Sequence, residues 1–135
     1  MGPPLAGGDI FQTPAPGSTI LLVEDDLDIR EAISSMLGDL GYEVATASDG
    51  REALGYLRSC PKMPRLILLD LVMPGMDGYA FRTEQRRDPR IAEIPVVVLT
   101  GDHSARLKSD ALGEVHCLEK PPRFLELVDA IKTYV

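Results

Sequence analysis

The sequence predicts a doubly wound α/β fold, a three-layer sandwich in which a parallel sheet carries helices on both faces. Two observations carry this expectation. Short runs rich in Leu, Ile and Val alternate with longer segments of helical period along most of the chain. Two of those runs, Leu66-Ile67-Leu68-Leu69 and Val96-Val97-Val98-Leu99, are apolar at every position, as central parallel strands covered on both faces require. Strand, helix, strand repeated at this length implies right-handed crossovers. With 135 residues, 44% of them hydrophobic, the chain is long enough to close one such core.

From Met1 to Gly17, Pro3, Pro4, Pro14 and Pro16 interleave with Gly2, Gly7, Gly8 and Gly17, and Asp9 is the only charge. This composition predicts a disordered arm or linker over 1–17, with the folded domain over 18–135. The first strand is Thr19–Val23. A helix over Asp28–Leu40 follows, with Ile29, Ala32, Ile33, Met36, Leu37 and Leu40 on one face and Gly41 where a left-handed cap belongs. Then come a strand over Tyr42–Ala47 and a helix over Gly50–Arg58. Strands over Leu66–Asp70, Val96–Thr100 and Val115–Leu118 follow, with helical stretches between them and a last helix from Arg123 to Tyr134. The sum is five strand–helix units.

Asp and Glu outnumber Lys and Arg by 21 to 14, giving a formal charge of −7. A negative surface repels phosphodiester backbones, so no direct contact with nucleic acid is expected. No run of about eighteen apolar residues is present to span a bilayer, and the first residues lack the basic start of a secretion signal. No membrane association and a cytoplasmic location are therefore expected. Cys60 and Cys117 are too few for a disulfide framework, and His103 and His116 lack the spacing of a metal motif.

The acids are unevenly placed. Glu24, Asp25 and Asp26 follow the first strand, and Asp70 closes the third. Both positions are carboxyl ends of parallel strands, the edge at which open α/β sheets bind ligands. Neighbouring strands lie roughly 5 Å apart, so acids ending two of them can share one ion. Clustered carboxylates repel and protonate more readily unless a cation neutralises them. Mg²⁺ suits the donor set, since it takes oxygen ligands and leaves positions for water and phosphate. Thr100 closes the fourth strand and Lys120 follows the fifth. A site of carboxylates, a metal, a hydroxyl and an ammonium resembles a phosphoryl-transfer centre. The chain has no Gly-x-x-x-x-Gly-Lys-Ser/Thr loop, so the phosphate is expected to arrive attached to something other than a bound nucleotide.

In these features the sequence resembles the receiver domain of two-component response regulators, of which the chemotaxis regulator is the simplest form. The residues that carry the resemblance are Leu22-Val23-Glu24-Asp25-Asp26, Leu68-Leu69-Asp70-Leu71-Val72-Met73-Pro74-Gly75-Met76-Asp77-Gly78, Val98-Leu99-Thr100-Gly101 and Lys120-Pro121. It covers Thr19 to Val135. The resemblance implies a flavodoxin-like sandwich with five helices and strand order 2-1-3-4-5. It also implies that Asp70 accepts a phosphoryl group from a histidine kinase or histidine phosphotransfer protein. Asp25, Asp70 and the backbone carbonyl of Val72 would ligate Mg²⁺, or Mn²⁺ as a substitute, with Glu24 acting through water. Lys120 would pair with Asp70, and the Thr100 hydroxyl would meet a phosphoryl oxygen. A cis bond between Lys120 and Pro121 is implied as well. Asp26 and Asp77 are read as helix caps.

One position departs from the family pattern. Cys117 stands where the family usually carries Tyr or Phe, whose ring turns with the movement of the Thr hydroxyl. The phosphorylation chemistry is expected to survive, while transmission to the output surface changes. Val72 and Asp102 flank the route of attacking water, and an apolar Val72 predicts slow self-dephosphorylation. An enzyme of the haloacid-dehalogenase type would need an acid at position 72, where Val72 stands. A phosphate-blind interaction module of the same fold is disfavoured by Asp70, Thr100 and Lys120. Since no DNA-binding segment follows Val135, the expected output is a contact with a downstream protein target, a relay to another histidine, or a further domain outside this sequence. The Pro/Gly arm equally suits a receiver cut from a hybrid kinase.

Overall fold

A computed structural model describes residues 19–101, 112–113 and 115–135. Five parallel strands, β1 (Thr19–Val23), β2 (Glu43–Ala47), β3 (Leu66–Asp70), β4 (Val96–Thr100) and β5 (His116–Glu119), form one sheet in the order β2-β1-β3-β4-β5. Among the described residues there are four helices: α1 (Leu27–Asp39), α2 (Gly50–Ser59), α3 (Gly78–Arg87) and α4 (Phe124–Tyr134). The helix expected between β4 and β5 falls mostly outside the described residues, as do the arm over 1–17, His103 and Asp102.

Alternating side chains along each strand divide the core in two. Leu21, Val23, Ile67, Leu69 and Val98 pack with Leu54 and Leu57 of α2 and Phe81 of α3. Ile20, Leu22, Leu66, Leu68 and Val97 pack on the other face with Ile33 and Leu37 of α1 and Leu127 and Ile131 of α4. Every residue of β3 and β4 is buried, as their unbroken apolar runs predict. The edge strand β2 has only Ala47 buried.

Local chemistry sets the helix ends. The carboxylates of Asp26, Asp49 and Asp77 each accept the backbone N–H three residues on, at 3.0, 2.8 and 2.9 Å, satisfying donors that a helix start leaves unpaired. Capping by Asp26 starts α1 at Leu27, one residue before the expected Asp28. At its other end Gly41 takes φ 97°, with Gly41 N–H on the Gly38 carbonyl and Tyr42 N–H on the Leu37 carbonyl. This is the paired bonding of a left-handed helix stop. Of the face assigned to α1, Ile33 and Leu37 are buried, whereas Ala32 is exposed, because that flank of the helix opens onto a groove rather than onto the sheet.

Candidate functional site

The five parallel strands deliver their carboxyl ends to one edge, and the chain order reverses between β1 and β3. There Glu24, Asp25 and Asp70 each bring a carboxylate oxygen within 4.8 Å of the others. Glu24 is 0% exposed and Asp70 3%, while Asp25 is exposed. An open pocket of about 480 Å³ is lined by these three acids with Val72, Gly101 and Lys120. Three converging oxygen donors beside open space fit a hard divalent cation such as Mg²⁺.

Lys120 supplies the positive charge. Its Nζ donates to Glu24 Oε1 at 2.8 Å and lies 3.4 Å from Asp70 Oδ2. The expected pairing with Asp70 is present, but Glu24 is the nearer partner, a contact that spacing along the chain did not reveal. The Lys120 N–H bonds the Thr100 carbonyl at 3.1 Å, and the Lys120–Pro121 bond is cis. Thr100 is buried at the end of β4. Val72 is 64% exposed and donates its N–H to Asp70 Oδ1 at 3.3 Å.

Burial and the negative charge of Glu24 push the Asp70 carboxyl up from 3.8 to about 6, against the lowering influence of Lys120 and the Val72 N–H. Burial would lower the Lys120 ammonium. Its hydrogen bond to Glu24 and the charges of Asp70 and Glu24 outweigh that and raise it. The acid cluster is thus crowded enough that a proton or a cation is favoured at Asp70.

The loop after β3 is held by close backbone contacts. Gly50 N–H donates to the Met76 carbonyl at 2.8 Å and Gly78 N–H to the Leu71 carbonyl at 3.1 Å. A Cβ on Gly78 would strike the Asp70 carbonyl oxygen and lie 2.7 Å from Leu71 Cα. Glycine is what lets α3 start directly behind Asp70. Two other features were not foreseen. Arg30 Nη1 donates to the Glu24 carbonyl at 2.9 Å. In α3, buried Arg82 donates to the Leu112 carbonyl and to Gln85, whose amide reaches the Ile91 and Ile94 carbonyls. The helical spacing of Arg30, Arg82 and Gln85 gives no sign of such partners.

Cys117 packs half-buried against the core and stands opposite Val98 in the β4–β5 register. Neither it nor Cys60 forms a disulfide. Among the described residues no helix is long and apolar enough to cross a membrane.

Comparison with known proteins agrees with this geometry. A curated relative, the probable transcriptional regulator ycf27 of Guillardia theta, is 38% identical over 111 residues, covering 79% of this chain and 42% of that protein. The chain spans less than half the length of the first curated relatives it matches. The solved structure of Vibrio cholerae chemotaxis protein CheY4 matches with TM-score 0.78 and 31% identity, covering 87% of this chain and 98% of that one. Thermotoga maritima response regulator TrrA, solved in complex with Mg²⁺ and BeF, matches with TM-score 0.75 and 32% identity over 87% and 99% of the two chains. The response regulator receiver domain model matches residues 20–132, and the chain belongs to that family.

Proposed function

We propose that the chain is a phosphorylatable switch that takes a phosphoryl group onto Asp70 from the phosphohistidine of a histidine kinase or phosphotransfer protein. The observation that carries this reading is the convergence of Glu24, Asp25, Asp70 and Lys120 at the point where the strand order reverses. An Asp70 oxygen attacks phosphorus, an O–P bond forms, and the N–P bond breaks with its electron pair returning to the imidazole, which takes up a proton. Asp25, Asp70 and the Val72 carbonyl would hold Mg²⁺, with Glu24 acting through water. Bound there, the cation supplies charge compensation to the phosphoryl oxygens. Lys120 leaves Glu24 and Asp70 for a phosphoryl oxygen, and the Thr100 hydroxyl donates to another.

The donor must bring its histidine over this pocket. Beside it, sharing Ile29 and Lys120, runs an apolar groove of about 400 Å³ lined by Ala32, Ile33 and Met36 of α1 and by Pro121 and Pro122. We assign it to the helix that carries the donor histidine, since the groove adjoins the pocket that holds Asp70. The output is a protein contact, and the folded domain over 18–135 acts in the cytoplasm without touching nucleic acid or membrane directly. Incubation with acetyl phosphate and Mg²⁺, followed by intact-mass measurement, tests the reading. Wild type gains one phosphoryl group and Asp70→Asn gains none; an unlabelled wild type sinks it.

A further inference from the structure

All four polar groups of Glu24 have partners. Its N–H donates to the Ala47 carbonyl at 2.9 Å, Oε1 accepts from Lys120 at 2.8 Å and Oε2 from the Asp26 N–H at 3.2 Å. Its carbonyl accepts from Arg30 Nη1 at 2.9 Å. The last contact differs from the others, because it comes from a half-buried arginine in the body of α1 and grips the peptide joining Glu24 to Asp25. That peptide fixes the direction in which the exposed Asp25 side chain leaves the backbone. A guanidinium on a carbonyl, anchored in a helix whose start is itself capped by Asp26, is a rigid brace for such a turn.

We propose that Arg30 is a positioning residue for the divalent cation, bracing the Glu24–Asp25 peptide so that the Asp25 carboxylate meets those of Glu24 and Asp70. The inference rests on the cation site assigned above. A competing effect has the opposite sign. Three carboxylates and Lys120 sum to −2, so the added positive charge of Arg30 repels a cation, and its removal by charge alone would tighten binding. At a half-exposed position that Coulomb effect is screened. Loss of an outer residue orienting a ligand typically weakens a metal site by roughly tenfold or more, so positioning wins.

Mn²⁺ titration followed by the electron paramagnetic resonance of the free ion separates the two effects. Arg30→Met weakens Mn²⁺ binding about tenfold, and Arg30→Lys, which keeps the charge and one donor, falls between Arg30→Met and wild type. Unchanged or tighter binding by Arg30→Met overturns the inference. The metal-free melting temperature reports folding. Should Arg30→Met not fold, Arg30→Lys decides, with weaker binding than wild type supporting the brace and equal or tighter binding overturning it. A wild type whose Mn²⁺ binding is absent or indifferent to Asp25→Asn overturns the cation site itself, a result distinct from a bound cation that ignores Arg30.

Discussion

Lys120 Nζ donates to Glu24 Oε1 at 2.8 Å across 96 positions of sequence, so the ammonium rests on Glu24, with Asp70 its more distant partner at 3.4 Å. Glu24 is fully buried. Taking away the lysine leaves that carboxylate and Asp70 side by side without a counter-charge, and breaking a buried pair from one side costs about 3 kcal/mol. Lys120→Met is therefore expected to destabilise the metal-free protein by about that amount in urea unfolding near neutral pH. Because Mg²⁺ replaces the missing charge, it stabilises Lys120→Met more than wild type. Equal stabilisation of both by Mg²⁺ would argue against the shared-charge account.

The raised Asp70 carboxyl has a signed consequence. Its native value of about 6 lies above its ordinary 3.8, so between those values the native state holds a proton that the unfolded chain has lost. Stability from this group is present below about pH 4 and declines as pH rises through about 6. Asp70→Asn removes the decline. In EDTA the variant is expected to be more stable than wild type by on the order of 2 kcal/mol at about pH 7.5, with the difference nearly gone at about pH 4. Urea unfolding at both pH values checks it, and a pH-independent difference contradicts it. Protons and cation compete at the same carboxylate, so Mg²⁺ affinity falls on acidification through about pH 6.

The groove beside the pocket gives a test that separates docking from chemistry. Ala32 is exposed within it, and a carboxylate there would be desolvated by an apolar donor helix. Ala32→Asp is expected to slow phosphotransfer from a phosphohistidine protein tenfold or more, taking desolvation as about 1.4 kcal/mol or above, while labelling by acetyl phosphate stays at the wild-type rate. Loss of both reactions would show a damaged site instead of a lost docking surface.

What could be read before any coordinates were known followed from strong local signals. The unbroken apolar runs give β3 and β4 to the residue, and an acid directly before a helical stretch places the caps at Asp26 and Asp77. The edges were less legible. For β5, the expected Val115–Leu118 becomes His116–Glu119, because Val115 packs on the core without joining the ladder and burial alone does not fix register at an edge. The acids of the site were legible because strand ends concentrate them. Arg30 and the nearer Glu24–Lys120 pairing were not, since both depend on side-chain direction across elements, which periodicity does not encode.

Gly78 tests how tightly α3 must approach Asp70. A Cβ there meets the Asp70 carbonyl oxygen and the Leu71 backbone, and neither can swing aside as a side chain could. Gly78→Ala is expected to cost about 1–3 kcal/mol through forced displacement and to reduce labelling of Asp70 by acetyl phosphate. Gly55, inside α2 with open space around its Cβ position, is the control. Gly55→Ala should stabilise the protein by about 1 kcal/mol from helix propensity and leave labelling unchanged. Equal behaviour of the two variants would remove the packing argument.

Val72 is expected to set the lifetime of the phosphorylated state. It is the exposed apolar side chain lining the acid pocket, its N–H bonds Asp70 Oδ1, and its side chain offers no hydrogen bond to a water approaching the acyl phosphate. Hydrolysis needs that water in line with the Asp70–phosphorus bond, and orienting a nucleophile is worth large factors in rate. An amide at the same place can accept a hydrogen bond from the water and aim its oxygen. Val72→Asn is therefore expected to lose its phosphoryl group several-fold faster than wild type after acetyl phosphate is removed, whereas Val72→Ala, which adds no polar atom, should stay within about twofold if orientation and not bulk is what matters. Decay followed by intact mass distinguishes the cases: equal rates in wild type and Val72→Asn would show that side-chain polarity at this position does not limit the reaction, and fast decay in Val72→Ala would show that the valine acts by covering the acyl phosphate.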